Sequence, residues 1–386
     1  MTAYELQTLL LGVFVTASAA SLLMVPLLSR WCVRHGILGR SDERGVPERS
    51  IPRLGGIGIC LSLLVTLLLY VDLQRELRGI LAGVVIIFIT GLLDDVRGVS
   101  SLGKFFGEAC AVLTTMVVGN LYIQTLGDLF GMGELVLPHW LAIPFTLVAV
   151  VGVVNAFNLI DGLDGLAGGL AVIALAAFGL LALSAANRSV LVIAMALLGA
   201  VLGFLRYNVF PARIFMGDAG SLTIGFVISF LAISLTQGEG ILIQPVVPLL
   251  IIGLPVADTL RVMVGRLRRG QSPFAADRTH IHHRFLALGI SHRTTVFLLY
   301  GISLVWAAAA VMFRDSQAEL LLGSFAAASV LSYVALHWLT LPLVPVLIIR
   351  LREWPRGLVP VRRADASSLT VPVRSDIRYA SALRPR

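Results

Sequence analysis

Charge is scarce in this chain. Only 13% of its 386 residues are Asp, Glu, Lys or Arg, about half the share of a soluble domain. Hydrophobic residues make up 57%, and the mean hydropathy is +0.91. That balance excludes an ordinary soluble enzyme, a disordered chain and a collagen-like one. Cysteine is scarce too. Cys32, Cys60 and Cys110 are scattered in or beside apolar stretches, which excludes a disulfide framework and a cysteine-based zinc site. Lysine is nearly missing: among 30 basic residues only Lys104 is a lysine. The first residues have no basic n-region and run straight into a long apolar stretch, unlike a cleavable signal.

What is present is apolar sequence along the whole chain, which also excludes a single anchor on a soluble domain. A bilayer core of ~30 Å needs about 20 apolar residues per helix. Eleven such stretches are legible, at about 7–29, 54–72, 79–93, 105–121, 138–157, 166–184, 190–207, 220–236, 241–262, 295–313 and 319–349. Pro342 and Pro345 predict a kinked or tilted end to the last one. The chain is expected to be all-α, a polytopic transmembrane helix bundle of about 11 spans. One set of connections, with the tail, carries 26 of the basic residues; the other carries Arg75, Arg78, Arg188 and Arg314. The positive-inside rule then puts the N-terminus outside and the C-terminus in the cytoplasm. Residues 1–350 read as one transmembrane domain and 351–386 as an Arg-, Pro- and Ser-rich tail without fixed structure. The net charge of +8 follows from that sidedness and does not point to nucleic acid. An outer connection at about 122–137, with Gly127, Gly131 and Gly133, suits a small hairpin.

Carboxylates gather at the cytoplasmic ends. Span three ends in Asp94 and Asp95, span five runs into Asn158, Asp161 and Asp164, and span eight begins at Asp218. Acids at the edge of hydrocarbon are costly and need a partner or a task. Asp94 and Asp95 suit a helix cap or a solvated loop as well as a site. Asp161 and Asp164, three apart, would share a face if helical, though Asn, Asp and Gly also make ordinary turns. Asp218 suits an N-cap or a metal ligand. Oxygen ligands without nearby Cys favour Mg²⁺ or Mn²⁺.

Basic groups lie on the same side. Lys104 opens span four as a compact point charge, the form that suits phosphate. Arg213 precedes Asp218 by five residues. The loop 261–294 carries Asp277 and Arg278, then His280, His282 and His283. Histidines among arginines suit a diphosphate or sugar-nucleotide better than zinc.

These residues resemble the polyprenyl-phosphate N-acetylhexosamine-1-phosphate transferases, glycosyltransferase family 4, over roughly residues 50–290. Asp94 and Asp95 with Lys104 look like the family's first Asp-rich motif, residues 155–167 (NAFNLIDGLDGLA) like its second, and residues 211–218 (PARIFMGD) like its third. Pro52-Arg53-Leu54-Gly55-Gly56 and the His280 to His283 run are similar to the WecA/TagO branch. The family's Arg-Lys-x-His stretch is Arg44, Gly45, Val46 and Pro47 here, so its Lys and His are replaced.

The resemblance implies transfer of N-acetylglucosamine-1-phosphate from UDP-N-acetylglucosamine to undecaprenyl or a similar polyprenyl phosphate, with release of UMP. It implies Mg²⁺ on Asp218 and Asp161, with Mn²⁺ as a substitute. Asp94, Asp95, Asp161 and Asp164 would be catalytic. Lys104, Asn158, Arg213, His280, His282 and His283 would bind substrate. The expected setting is the inner membrane, multi-pass, with the site on the cytoplasmic face, and with a homodimer as an option. Another UDP-aminosugar donor, phospho-MurNAc-pentapeptide transfer, or transport of an anionic or prenylated substrate are the alternatives. A transporter should carry polar groups at mid-membrane, whereas these span interiors read as nearly free of charge.

Overall fold

Thirteen helices occupy the described residues (2–35, 51–238, 243–272 and 279–339) of this computed structural model. They are α1 (Ala3–Arg34), α2 (Gly55–Tyr70), α3 (Arg75–Arg97), α4 (Ser101–Gly119), α5 (His139–Ile160), α6 (Leu166–Ser184) and α7 (Arg188–Asn208). Then follow α8 (Gly217–Thr236), α9 (Val246–Ile251), α10 (Gly253–Arg268), α11 (Ile281–Ala287), α12 (His292–Met312) and α13 (Ala318–Leu339). Among the described residues there is no strand, only an antiparallel bridge between Thr125 and Val136 in the expected hairpin. Arg44, Gly45, Pro47, Asp277, Arg278, Pro342, Pro345 and the tail 351–386 lie outside the described residues.

Eight of the helices are long and apolar enough to cross a membrane, and α2 is a shorter apolar helix. The chain is therefore a polytopic helical membrane protein. Outward faces carry exposed side chains such as Leu11, Leu23, Leu68, Val117 and Val148, which suit lipid rather than water.

Helix α8 is apolar all round and is buried along nearly its whole length, packed by α2, α3, α5, α6 and α7. A helix with no polar face belongs in the middle. Most of its hydroxyls bond within it: Thr223 donates to the Ala219 carbonyl (2.7 Å) and Ser229 to the Gly225 carbonyl (2.7 Å), while Ser234 Oγ is buried without a partner among the described residues. Small residues let the neighbours approach its first turn. A Cβ on Gly91 of α3 would lie 2.6 Å from the Ala219 backbone, and one on Gly56 of α2 would collide with Gly220.

Two sequence expectations need correction. The stretch 241–262 is not one helix: α9 ends at Ile251 and α10 starts at Gly253. Pro255 has no N–H to continue the ladder from Ile251, so the helix breaks just before it. Asp94 and Asp95 do not end their helix either. Helix α3 runs on to Arg97 and stops at Gly98, whose φ of 72° suits glycine.

Candidate active site

The short link between α3 and α4 builds the first part of the site. Asp94 Oδ1 accepts from the Val99 amide (2.7 Å), and Ser100 caps α4 by accepting from the Gly103 amide (3.2 Å). This tight turn brings Lys104 back beside Asp94, with Nζ 3.5 Å from Oδ2. Lys104 also donates to Asn158 Oδ1 (3.2 Å) and makes a close ion pair with Asp218 Oδ2. Asn158 in turn donates to Ser221 Oγ (2.9 Å) on α8. The only lysine in the chain therefore ties α3, α4, α5 and α8 together.

Asp95 makes the second part. Its Oδ1 accepts from the Asp218 amide (2.8 Å) and its Oδ2 from the Ala219 amide (2.9 Å). A carboxylate on two first-turn amides meets the positive end of the helix dipole. The N-terminus of α8 is thus capped from α3, which leaves the Asp218 side chain available. Gly217 sits at φ 73°, and a Cβ there would strike the Arg53 carbonyl and the Asp95 carboxylate. The Arg53 segment is strapped to the same place. Phe215 donates to the Pro52 carbonyl (2.8 Å), Gly55 to Phe215 (3.0 Å) and Gly56 to Met216 (2.8 Å).

The third part is the turn 161–165 between α5 and α6. Asp161 and Asp164 do not share a helical face, because α5 ends at Ile160 and Gly165 takes φ 80°. The turn is fixed from several sides. Asp164 Oδ2 accepts from the Ala212 amide (3.0 Å), Asn208 accepts from the Gly165 amide (3.0 Å), and Tyr300 donates to the Gly165 carbonyl (2.6 Å).

These parts enclose a cavity of about 240 Å³. Asp95, Asp161, Asp164 and Asp218 line it, with Arg53 as the one cation of the lining among the described residues and Asn208, Phe215 and Met216 among the rest. Burial, and then the Asp218, Asp95 and Asp164 carboxylates, push the Asp161 carboxyl well above the ordinary range. The lining has four acids and one cation among the described residues, with Lys104 paired to Asp218 beside it. Among the described residues no three carboxylate or imidazole groups form a ready metal cage. Magnesium commonly takes only one or two carboxylates and fills its shell with water and substrate phosphate. Two cavity carboxylates, Asp161 and Asp218, in an oxygen-only setting fit that habit.

Other expected residues stand apart from the cavity lining. Arg213 is exposed and donates its amide to the Tyr207 carbonyl (2.8 Å). His280 and His282 are buried, and His283 is half-buried with its ring 4.2 Å from that of His282. The His282 ring packs directly on Gly162, so a Cβ there would collide with its Nε2. The histidine run is therefore adjacent to the Asp161 turn.

Four residues escaped the sequence reading. Arg53 was legible only as part of a motif, and Asn208 as a polar residue ending a span. Glu108 and Asp258 correct the picture of nearly uncharged span interiors: both are buried within predicted spans. Glu108 accepts from Asn155 Nδ2 (2.6 Å). Asp258 meets Arg261 and His280.

The glycosyl transferase family 4 model matches residues 77–236, which carry all three acidic motifs. The chain is similar to a probable undecaprenyl-phosphate N-acetylglucosaminyl 1-phosphate transferase of Bacillus subtilis, 33% identical over 78% of this chain and 84% of the relative. It is 36% identical to a decaprenyl-phosphate N-acetylglucosaminephosphotransferase of Mycolicibacterium smegmatis, over 75% of this chain and 79% of the relative. An undecaprenyl-phosphate alpha-N-acetylglucosaminyl 1-phosphate transferase of Escherichia coli K12 is 34% identical over 68% of this chain and 73% of the relative. With the three motifs folded around one cavity and relatives of this kind along most of its length, the chain belongs to glycosyl transferase family 4, in its WecA/TagO-like branch.

Proposed function

We propose that the protein transfers N-acetylglucosamine-1-phosphate from UDP-N-acetylglucosamine to undecaprenyl phosphate, or a similar polyprenyl phosphate, and releases UMP. The product would start a cell-envelope polysaccharide. The observation that carries this reading is the cavity lined by Asp161, Asp218 and Arg53, with Lys104 bonded to Asp218 beside it. The acceptor phosphate lies at the membrane surface with its chain in lipid. The nucleotide-sugar comes from the cytoplasm. A site at the helix ends of the inner face serves both.

An acceptor phosphate oxygen attacks the β-phosphorus of the nucleotide-sugar. The new O–P bond forms as the bond to the bridging oxygen breaks, and UMP leaves with that oxygen. A phosphate monoester has its second pKa near ~6, so the acceptor is mostly dianionic at neutral pH. Little activation is needed, and the work lies in neutralising charge and aligning the groups. Asp218 and Asp161 would hold Mg²⁺, which supplies neutralisation of the diphosphate oxygens when bound. Lys104 and Arg53 bring positive charge to the phosphates. Asp95 fixes the start of α8, and Asp94 keeps Lys104 in place and orients the acceptor. Asn158 and Asp164 hold the surrounding shell. His280, His282 and His283 take the sugar-nucleotide.

The test is UMP release by the membrane-embedded protein with undecaprenyl phosphate and a panel of UDP-sugars, with and without Mg²⁺. Magnesium-dependent release with UDP-N-acetylglucosamine supports the reading. Release with another UDP-aminosugar alone moves the donor and keeps the chemistry.

A further inference from the structure

Asp258 on α10 is buried, at 4% exposure, and the mechanism above does not use it. Its oxygens are crowded with donors. Oδ1 accepts from Arg261 Nη2 (2.6 Å) and from the Ile281 amide (3.0 Å), and Oδ2 is paired with His280 Nδ1 (2.8 Å). Arg261 Nη2 also donates to the Thr279 carbonyl (2.6 Å). Aspartate and arginine together therefore clamp residues 279–281, the approach to α11.

This clamp decides the state of one imidazole. A carboxylate accepts, so the proton of the His280 contact belongs on Nδ1. His280 Nε2 is buried and has no hydrogen-bond partner among the described residues. A buried ring nitrogen without a partner is uncommon and calls for a role. In the Nδ1–H form, Nε2 is an acceptor. It suits a hydroxyl or N–H group. The contacts then run on to the cavity: the His280 and His282 rings are near parallel, 6.0 Å apart at 11°, and His282 packs on Gly162 beside Asp161.

We infer that Asp258 is a positioning residue for the donor substrate. Acting through His280, it fixes the ring as the Nδ1–H form and leaves Nε2 to accept from a hydroxyl or N–H of the nucleotide-sugar. It also holds His282 against the Asp161 turn. The inference rests on the reading of this cavity as the donor site.

The experiment is a double-mutant cycle of Asp258→Asn and His280→Ala, with kinetics for each substrate. In wild-type background, D258N should lower kcat/KM for the UDP-sugar by about tenfold or more, the scale of losing a second-layer orienting partner. KM for undecaprenyl phosphate should stay within about twofold. In the H280A background D258N should add almost nothing, since coupled residues are non-additive. A loss that is the same with or without His280, that falls equally on both substrates, or that is absent overturns the inference. ¹⁵N-histidine spectra of the wild-type protein, with H280A for assignment, decide the matter if D258N fails to fold. A neutral ring protonated on Nδ1 alone is the expected result, and a ring carrying a proton on Nε2, neutral or charged, overturns it. Wild type that releases no UMP with any UDP-sugar sinks the functional reading instead, and the spectra still decide the tautomer.

Discussion

Asp95 on α3 caps the helix that carries Asp218, taking the Asp218 and Ala219 amides at 2.8 and 2.9 Å. The two acids thus divide their work. One holds the helix start from outside, and the other is left to face the cavity and Lys104. The division separates their mutants.

Asp218→Asn should remove most turnover, by at least about 100-fold, as expected when a principal charge of a transfer site is lost. Folding should be nearly unchanged, because α8 keeps its Asp95 cap. Activity and thermal unfolding in detergent check both halves. Near wild-type turnover would remove Asp218 from the metal assignment.

Asp95→Ala should lower stability as well as activity. Two part-buried amides would lose their acceptor, at about 1–3 kcal/mol for each. Amide hydrogen exchange at Asp218 and Ala219 should accelerate in this variant and not in Asp218→Asn. Unchanged exchange would mean that α8 does not depend on the cap.

Lys104→Arg keeps the charge and changes its shape. The ammonium sits among Asp94, Asn158 and Asp218, and a planar guanidinium cannot aim its donors in the same way. A loss of turnover of about tenfold or more is expected, the cost of a misplaced charge in a preorganised site. Full activity in membrane assays would make Lys104 a simple anchor.

Gly162→Ala should push His282 off the turn, since the added methyl meets the ring. Overpacking of this kind costs about 1–3 kcal/mol. The Asp161 turn should lose activity towards the UDP-sugar before the protein loses its fold. Equal activity and stability would mean that the histidine run does not bear on the turn.

Much of the site was legible because polar residues stand out against apolar sequence. Asp94, Asp95, Asp161, Asp164 and Asp218 interrupt long apolar stretches at their ends, and four of the five line one cavity. Asp94 lies next to it through Lys104. The partners were not legible. Asp95 meets amides 123 and 124 residues away, and Glu108 meets Asn155 47 residues away. Asp258 went unnoticed inside a span, since its partner His280 lies 22 residues on. Spacing left Asp161 and Asp164 open between a helical face and a turn, and the positive φ of Gly165 belongs to the turn. The ninth span looked continuous because hydropathy does not register the missing N–H of Pro255. Among the described residues eight helices are long and apolar enough to cross a membrane; α2 and the described apolar part of α13 are shorter, and the ninth stretch is divided into α9 and α10.

The central claim is phosphosugar transfer at this cavity. The most direct measurement follows UMP release from UDP-N-acetylglucosamine with undecaprenyl phosphate, in membranes, before and after removal of divalent cations. Release that stops on chelation, returns with Mg²⁺, and is lost in Asp218→Asn is the predicted result. No release with any UDP-sugar, from folded protein supplied with both substrates and Mg²⁺, would contradict it.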